Sequence, residues 1–208
     1  MGHAMHHRND HRTDLGLLTL RLTTGGLLAG HGAQKLFGFA GGHGIHGTAG
    51  MMQMIGMKPG HVWGTLAGAA EFGGGIMTAL GLGGPLGPIT TLGPMGMAIG
   101  TVHWGKPIWV TSGGAELPLT NAAVGVALAL AGPGRYSLDH AFGIRVPGWL
   151  TSLWLLGTAA GIGMGLALRE TEQATEQQQA PPEEHPQEPT AEVEKVLTEA
   201  DEQAPLAA

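Results

Sequence analysis

KPGHVWGTLAGAAEFGGGIMTALGLGGPLGPITTLGPMGMAIGTVHWGK, residues 58 to 106, decides the fold class. Forty-seven residues separate Lys58 from Lys106, and Glu71 is the single charge among them. A helix crossing a bilayer needs about 20 mostly apolar residues, so this stretch is too long for one span and suits two. GLGGPLGP, Gly81 to Pro88, divides it with the glycines and prolines of a tight turn. The reading is a membrane hairpin.

Working outward, Leu15 to Leu36 forms a further span, with Arg21 in its interior and Lys35 at its boundary. Leu117 to Ala131 is a short one, opened by GGAE and stopped by Gly132-Pro133-Gly134. The 23 residues between Arg145 and Arg169 carry no charge and supply another. The expectation is an all-α integral membrane protein with five helices near 15–36, 62–82, 88–105, 115–131 and 149–168. A soluble α/β protein would need alternating β-branched runs and a charged surface, and neither is present. A cleaved leader is disfavoured, because Arg21 breaks the first apolar run and more spans follow.

The net charge of −6 hides a split: residues 1–169 sum to +4 and residues 170–208 to −10. The tail, with TEQATEQQQAPPEEHPQEP at its start, is acidic, proline-rich and without aromatic residues, so disorder is expected. AEVEKVLTEA (191–200) within it has the pattern of a short docking helix for a partner. The chain has no Cys, which excludes a disulfide framework, a thiol nucleophile and a cysteine-ligated iron-sulfur cluster. A basic nucleic-acid surface is not expected.

Small residues four apart recur at Gly26/Gly30, Gly64/Gly68, Gly96/Gly100, Gly157/Gly161 and Gly161/Gly165. In lipid such spacing lets helix backbones approach closely, and it offers Gly-rich faces for oligomers. Trp63, Trp104 and Trp149 fall at helix ends, where an amphipathic ring suits the membrane interface. With the N-terminal side named A and the other B, side A takes Arg8, Arg12, Arg135 and Arg145, and side B takes Lys35, Lys58, Lys106 and Arg169. The positive-inside rule returns a tie.

Ionisable groups inside spans are expensive and mark functional sites by default. At about 1.5 Å per residue, Arg21 falls roughly 9 Å in from side A and Glu71 roughly 13 Å in from side B. In a core about 30 Å thick an Arg21–Glu71 pair is therefore the first expectation. His31, Lys35 and His103 lie near side B, and Glu116 and Asn121 enter from it. Four helices thus send polar groups toward one half of the membrane, as a pocket open to side B requires. In that pocket His31, His103 and Glu71 are the candidate catalytic groups, able to move protons. Arg21, Lys35, Glu116 and Asn121 are the candidate substrate-binding groups.

Other motifs carry less. GHGIHG (42–47) matches G-x-G-x-x-G, but no strand precedes it. GTVHWGKP (100–107) falls one residue short of a P-loop and has Pro107 where Ser or Thr is required. His43, His46 and His61, with His3, His6, His7 and His11, lack a carboxylate or Cys at fixed spacing. They read as polar loop and terminal residues, and no metal is assigned.

Several stretches together resemble the DoxX family of small membrane proteins, named after subunits of a thiosulfate:quinone oxidoreductase. They are Arg21 in the first span, GHGAQKLFG (30–38), GGHGIHGTAG (41–50) and LAGAAEFGGG around Glu71. His103, GGAELPL around Glu116 and GPGRYSLD (132–139) continue the series. The resemblance implies a four-helix membrane domain over about 15–140 in the cytoplasmic membrane. It also implies links to quinone or sulfur redox chemistry and oxidative-stress defence. The chain adds a polar, His-rich segment at 1–14, a further transmembrane helix in 141–169 and the acidic tail at 170–208.

The leading expectation is a subunit or auxiliary factor of a membrane oxidoreductase system. Its pocket takes a quinone head group, no cofactor is covalently bound, and electrons arrive from a soluble oxidoreductase or sulfurtransferase partner. The alternatives are a small-solute or proton-coupled transporter, and a non-catalytic scaffold docking a soluble partner through its tail.

Overall fold

The computed structural model describes residues 2–170, with side chains from residue 11 onward. The acidic tail from residue 171, with its docking-helix pattern, and the histidine side chains before His11 lie outside the described residues. Every regular element described is helical: α1 Gly2–Leu20, α2 Gly26–Phe37, α3 Gly44–Met54, α4 Gly60–Leu80, α5 Leu86–Thr101, α6 Glu116–Ala131, α7 Leu138–Phe142 and α8 Gly148–Ala167. A π-helical turn, Arg21–Gly25, joins α1 to α2 without a break, since Leu20, Gly25 and Gly26 all keep right-handed helical angles.

Glycine sets the packing. Gly25 lies against Gly75 and Ala79, and Gly32 against the backbone of Gly68 and Phe72, so α2 and α4 run antiparallel almost backbone to backbone. Any Cβ at Gly25 or Gly32 would run into main chain across that contact. α5 returns antiparallel to α4, with Gly74 against Thr91 and Gly87 against Met77. α6 packs on α5 through Gly125, and α8 lies parallel to α5 through Gly93, Gly96 and Gly100.

Among the small-residue pairs, Gly64/Gly68 and Gly96/Gly100 sit at helix contacts, whereas Gly26, Gly30, Gly157 and Gly161 meet nothing within 4 Å. The closest α2–α4 approach uses Gly25 and Gly32, seven apart, because two long antiparallel helices meet once every two turns. The four-residue spacing marks a small patch of surface, and a neighbour must still arrive there.

The distribution of polarity is inverted relative to a water-soluble protein. Among the described residues the buried large hydrophobic ones are Leu28, Met57, Ile89, Met95 and Leu128, while Asp14, Arg21, Thr48, Glu71, Thr78, Thr91, Thr101, Ser137 and Asp139 are also buried. Leu22, Leu27, Leu66, Leu119, Leu130, Leu153 and Leu156 stand exposed on the helix flanks, as do Trp104 and Trp149 at helix ends. Thr78, Thr91 and Thr101 donate to carbonyls of their own helices, at 2.7 Å each, and Thr48 donates to a carbonyl of α2, so the buried threonines bring no unsatisfied hydroxyl into the interior.

α8 is the one described helix long and apolar enough to cross a membrane by length and composition, and α6 is apolar but shorter. Helices occupy all five expected regions, four of them with ends shifted by a few residues, whereas the first begins at Gly2, well before the expected start at Leu15. The region 41–50, expected as loop, is instead mostly helix α3, packed on α2 and α4. Its glycines do not break it because Gly60 and Gly64 of α4 let Ala49 and Thr48 approach closely, and that tertiary contact outweighs glycine's weak helix propensity.

Candidate functional site

Two polar centres lie at opposite ends of the α2–α4 pair. At side A the Arg21 side chain packs against Gly81, in the turn between α4 and α5, and donates through Nη2 to the Tyr136 carbonyl. Asp139, also buried, accepts from the amides of Gly83, at 2.8 Å, and Gly84, while its own amide donates to the Gly81 carbonyl at 3.1 Å. Gly81, Gly83 and Gly84 all have positive φ, and this turn geometry brings the amides of Gly83 and Gly84 onto one carboxylate. Asp14 accepts from the Arg135 amide at 3.0 Å, so the 132–139 segment is tied to the first helix as well as to the turn.

At side B, Lys35 on α2 forms an ion pair with Glu71 on α4. Glu71 is buried, and Lys35 keeps about a quarter of its side chain exposed, 23%. Above the pair lies a cleft of about 250 Å3 between α2 and α3, lined by residues that include His31, Gln34, Lys35, His43, Thr48 and Met51. His31 and Gln34 share a hydrogen bond of 3.1 Å, and Thr48 donates to the Lys35 carbonyl at 3.1 Å, which fixes α3 against α2. Positions 31, 34 and 35 share one helix face because residues three and four apart are neighbours there.

The expected Arg21–Glu71 pair does not form. Arg21 is level with Gly81, ten residues along α4 from Glu71, or about 15 Å at the helical rise. The depth reckoning fails because it starts the first span at Leu15, whereas the helix is continuous from Gly2 and its residues before Arg21 lie beyond the α4–α5 turn. Lys35, placed by sequence at the boundary, takes the role given to Arg21.

The candidate residues therefore fall into three groups. His31 and Lys35 line the cleft, and Glu71 sits behind Lys35. His103 and Glu116 instead brace the α5–α6 connection: the His103 ring is 2.7 Å from the Gly113 carbonyl, and Glu116 accepts from the Val110 amide at 2.9 Å. Asn121 lies further along α6, which packs mainly on α5 and touches the first span at the Arg21–Gly25 turn. Arg21 belongs to side A. Gln34, His43 and Thr48 are cleft residues that sequence reading passed over. The i, i+3, i+4 run 31-34-35 was available in GHGAQKLFG, but Thr48 and His43 reach the cleft only through α3.

Lys35, Gln34 and His31 bring hydrogen-bond donors to the cleft over a buried carboxylate, a set suited to one or two carbonyl or anionic oxygens. Residues 16–104 match the family model described as DoxX. That match spans Arg21, the cleft, Glu71 and His103, and it ends before Glu116, the 132–139 segment and α8. No curated protein and no solved structure matches the chain.

Proposed function

Taking the chain as a member of the DoxX family through residues 16–104, and hence a membrane protein, we propose that it is a multi-pass subunit or auxiliary factor of an oxidoreductase system in the cytoplasmic membrane, with the side-B cleft holding a quinone head group. The observation that carries this reading is the cleft itself: His31, Gln34, Lys35 and Thr48 surround it, and the buried Glu71 holds Lys35 in place. Its volume of about 250 Å3 is just below the roughly 300–1,000 Å3 typical of whole-ligand pockets, which suits a head group whose tail lies in lipid. The inverted polarity supports several spans: leucines face outward on α2, α4, α6 and α8, and charges face inward. Hydropathy averages understate α4 because glycines occupy its contact faces.

In this reading Lys35 and Gln34 donate to the carbonyl oxygens, and His31 supplies a proton as the quinone is reduced. Reduction to the hydroquinone takes two electrons, which a partner oxidoreductase delivers, and two protons, one from His31 and one from water at the open mouth of the cleft, which also reprotonates His31. The test is purification in mild detergent followed by mass spectrometry of extracted small molecules and co-purifying proteins, with Glu71→Gln and a chain ending at Glu170 alongside. The expected result is near-stoichiometric quinone that falls at least tenfold in Glu71→Gln, the scale of about 1.4 kcal/mol in binding. No quinone, together with a partner lost on removal of the tail, would replace this reading with a membrane scaffold. Solute uptake that survives tail removal but fails in Glu71→Gln would replace it with transport.

A further inference from the structure

The end of α8 reaches back to the helix that walls the cleft. Arg169, just past α8, donates through Nε to the Ile55 carbonyl at 2.8 Å and through Nη1 to the Gly100 carbonyl at 3.5 Å. Ile55 closes the C-terminus of α3, and Gly100 lies in the last turn of α5. Carbonyls at a helix C-terminus lack an intrahelical donor and carry the negative end of the helix dipole, so each attracts a cation. One guanidinium serves two such ends, because its donors form a rigid fork that a lysine lacks.

Neighbouring contacts close the same joint. The Glu170 amide donates to the Gly56 carbonyl at 2.9 Å, and the Glu170 carboxylate pairs with Lys58. Gly56 has φ 82° and lies so close to the Glu170 carbonyl that a Cβ there would collide with it. Met57 between these contacts is 2% exposed. One turn back, Gly165 of α8 lies against Met97 of α5 and Trp63 of α4, and the Trp63 indole N–H points to the Lys58 carbonyl at 3.4 Å.

Besides its packing on α2 and α4, α3 is thus tied by side-chain hydrogen bonds at two places, by Thr48 on Lys35 in its middle and by Arg169 at its end. His43, at the start of α3, and Gly47, Thr48 and Met51 within it form the outer wall of the cleft. We infer that Arg169 is a positioning residue: from outside the family-matched segment it caps α3 and α5 together and so fixes the width of the cleft between α2 and α3. α8 looks peripheral, being exposed over most of its surface, yet it carries the strut that decides how far α3 can swing from Lys35. The consequence for ligand affinity rests on the proposed quinone reading, whereas the effect on α3 does not.

The test uses the full chain in detergent and in nanodiscs. Hydrogen exchange of the α3 amides is compared between the natural protein, Arg169→Gln and Arg169→Lys, with α6 as an internal reference. Because the chain has no Cys, Met57→Cys in each background also gives a single thiol whose labelling rate reports opening of the joint. Losing hydrogen bonds from a charged donor should speed α3 exchange and thiol labelling about tenfold in Arg169→Gln, with α6 unchanged. Arg169→Lys keeps the charge and loses the fork, so it should restore part of the protection. It also serves as the graded variant should Arg169→Gln fail to insert. Unchanged α3 exchange in both variants would overturn the inference. Binding of a short-chain benzoquinone is then measured on the same samples. A several-fold weaker Kd in Arg169→Gln, partly rescued by Lys, supports the cleft-width role. A loosened α3 with no quinone bound by any form keeps the strut and removes the quinone reading.

Discussion

The two ends of the α2–α4 pair hold the same kind of chemistry in opposite states. At side A, Arg21 is 2% exposed and covered by the 132–139 segment, the α4–α5 turn and its own helix, and Asp139 is bound by two backbone amides. At side B the Lys35–Glu71 pair has only one buried member, and its cation opens onto a cleft. A cluster covered on every side holds chain segments together, and there only Nη2 of Arg21 finds an acceptor while its Nε and Nη1 are buried without one. An open one with a spare face has room for a ligand. Burial alone therefore does not mark a site within a membrane, since both carboxylates are nearly inaccessible and only one of them backs a space.

The largest test of this contrast is Asp139→Ala, which leaves the amides of Gly83 and Gly84 without an acceptor and Arg21 without a nearby countercharge. A loss of about 3–5 kcal/mol is expected in detergent-based chemical unfolding followed by circular dichroism. A loss below about 1 kcal/mol would mean that side A is not the structural clasp described.

Gly32→Ala comes next, because its Cβ would meet the Phe72 backbone, which cannot rotate away. Overpacking of this sort costs about 1–3 kcal/mol, and the shift should show in the same unfolding experiment. Glu71→Gln should cost less than either, about 1 kcal/mol, because Lys35 can turn its partly exposed amine into the cleft. An effect as large as that of Asp139→Ala would erase the distinction between the ends. The smallest effect is expected at Gly30, which meets nothing within 4 Å although it belongs to a small-residue pair. Gly30→Ala should be neutral or stabilise by up to about 0.5 kcal/mol, by reducing the unfolded chain's freedom. Marked destabilisation in nanodiscs, absent in monomeric detergent samples, would show that a second copy covers that face.

The helices α4, α5, α6 and α8 were legible because the runs from Lys58 to Lys106, with Glu71 as its single charge, from Glu116 to Arg135 and from Arg145 to Arg169, cut by Gly-Pro turns, leave few other ways to bury the backbone. Helix α3 was not, since a stretch as glycine-rich as 41–50 has no local signal strong enough to declare a helix; α4 supplies the reason for it to form. Among the candidate residues, Lys35, His31 and Glu71 were singled out by their types and their place on apolar helices, and the structure brings these three together. His103 and Glu116 were grouped with them by depth alone, and depth cannot distinguish two residues on neighbouring faces of a bundle from two on opposite sides of it.

By itself the sequence determined that the chain is helical, where most of its helices begin and end, and that its few buried charges would need partners. Those follow from local quantities: run length, turn residues and the cost of an unpaired charge in a low-dielectric interior. Only the tertiary structure decided which partner each charge takes. The register of α2 against α4 is set by backbone contact at Gly25 and Gly32, and that register hands Glu71 to Lys35 and leaves Arg21 to the 81–84 turn and the 132–139 segment.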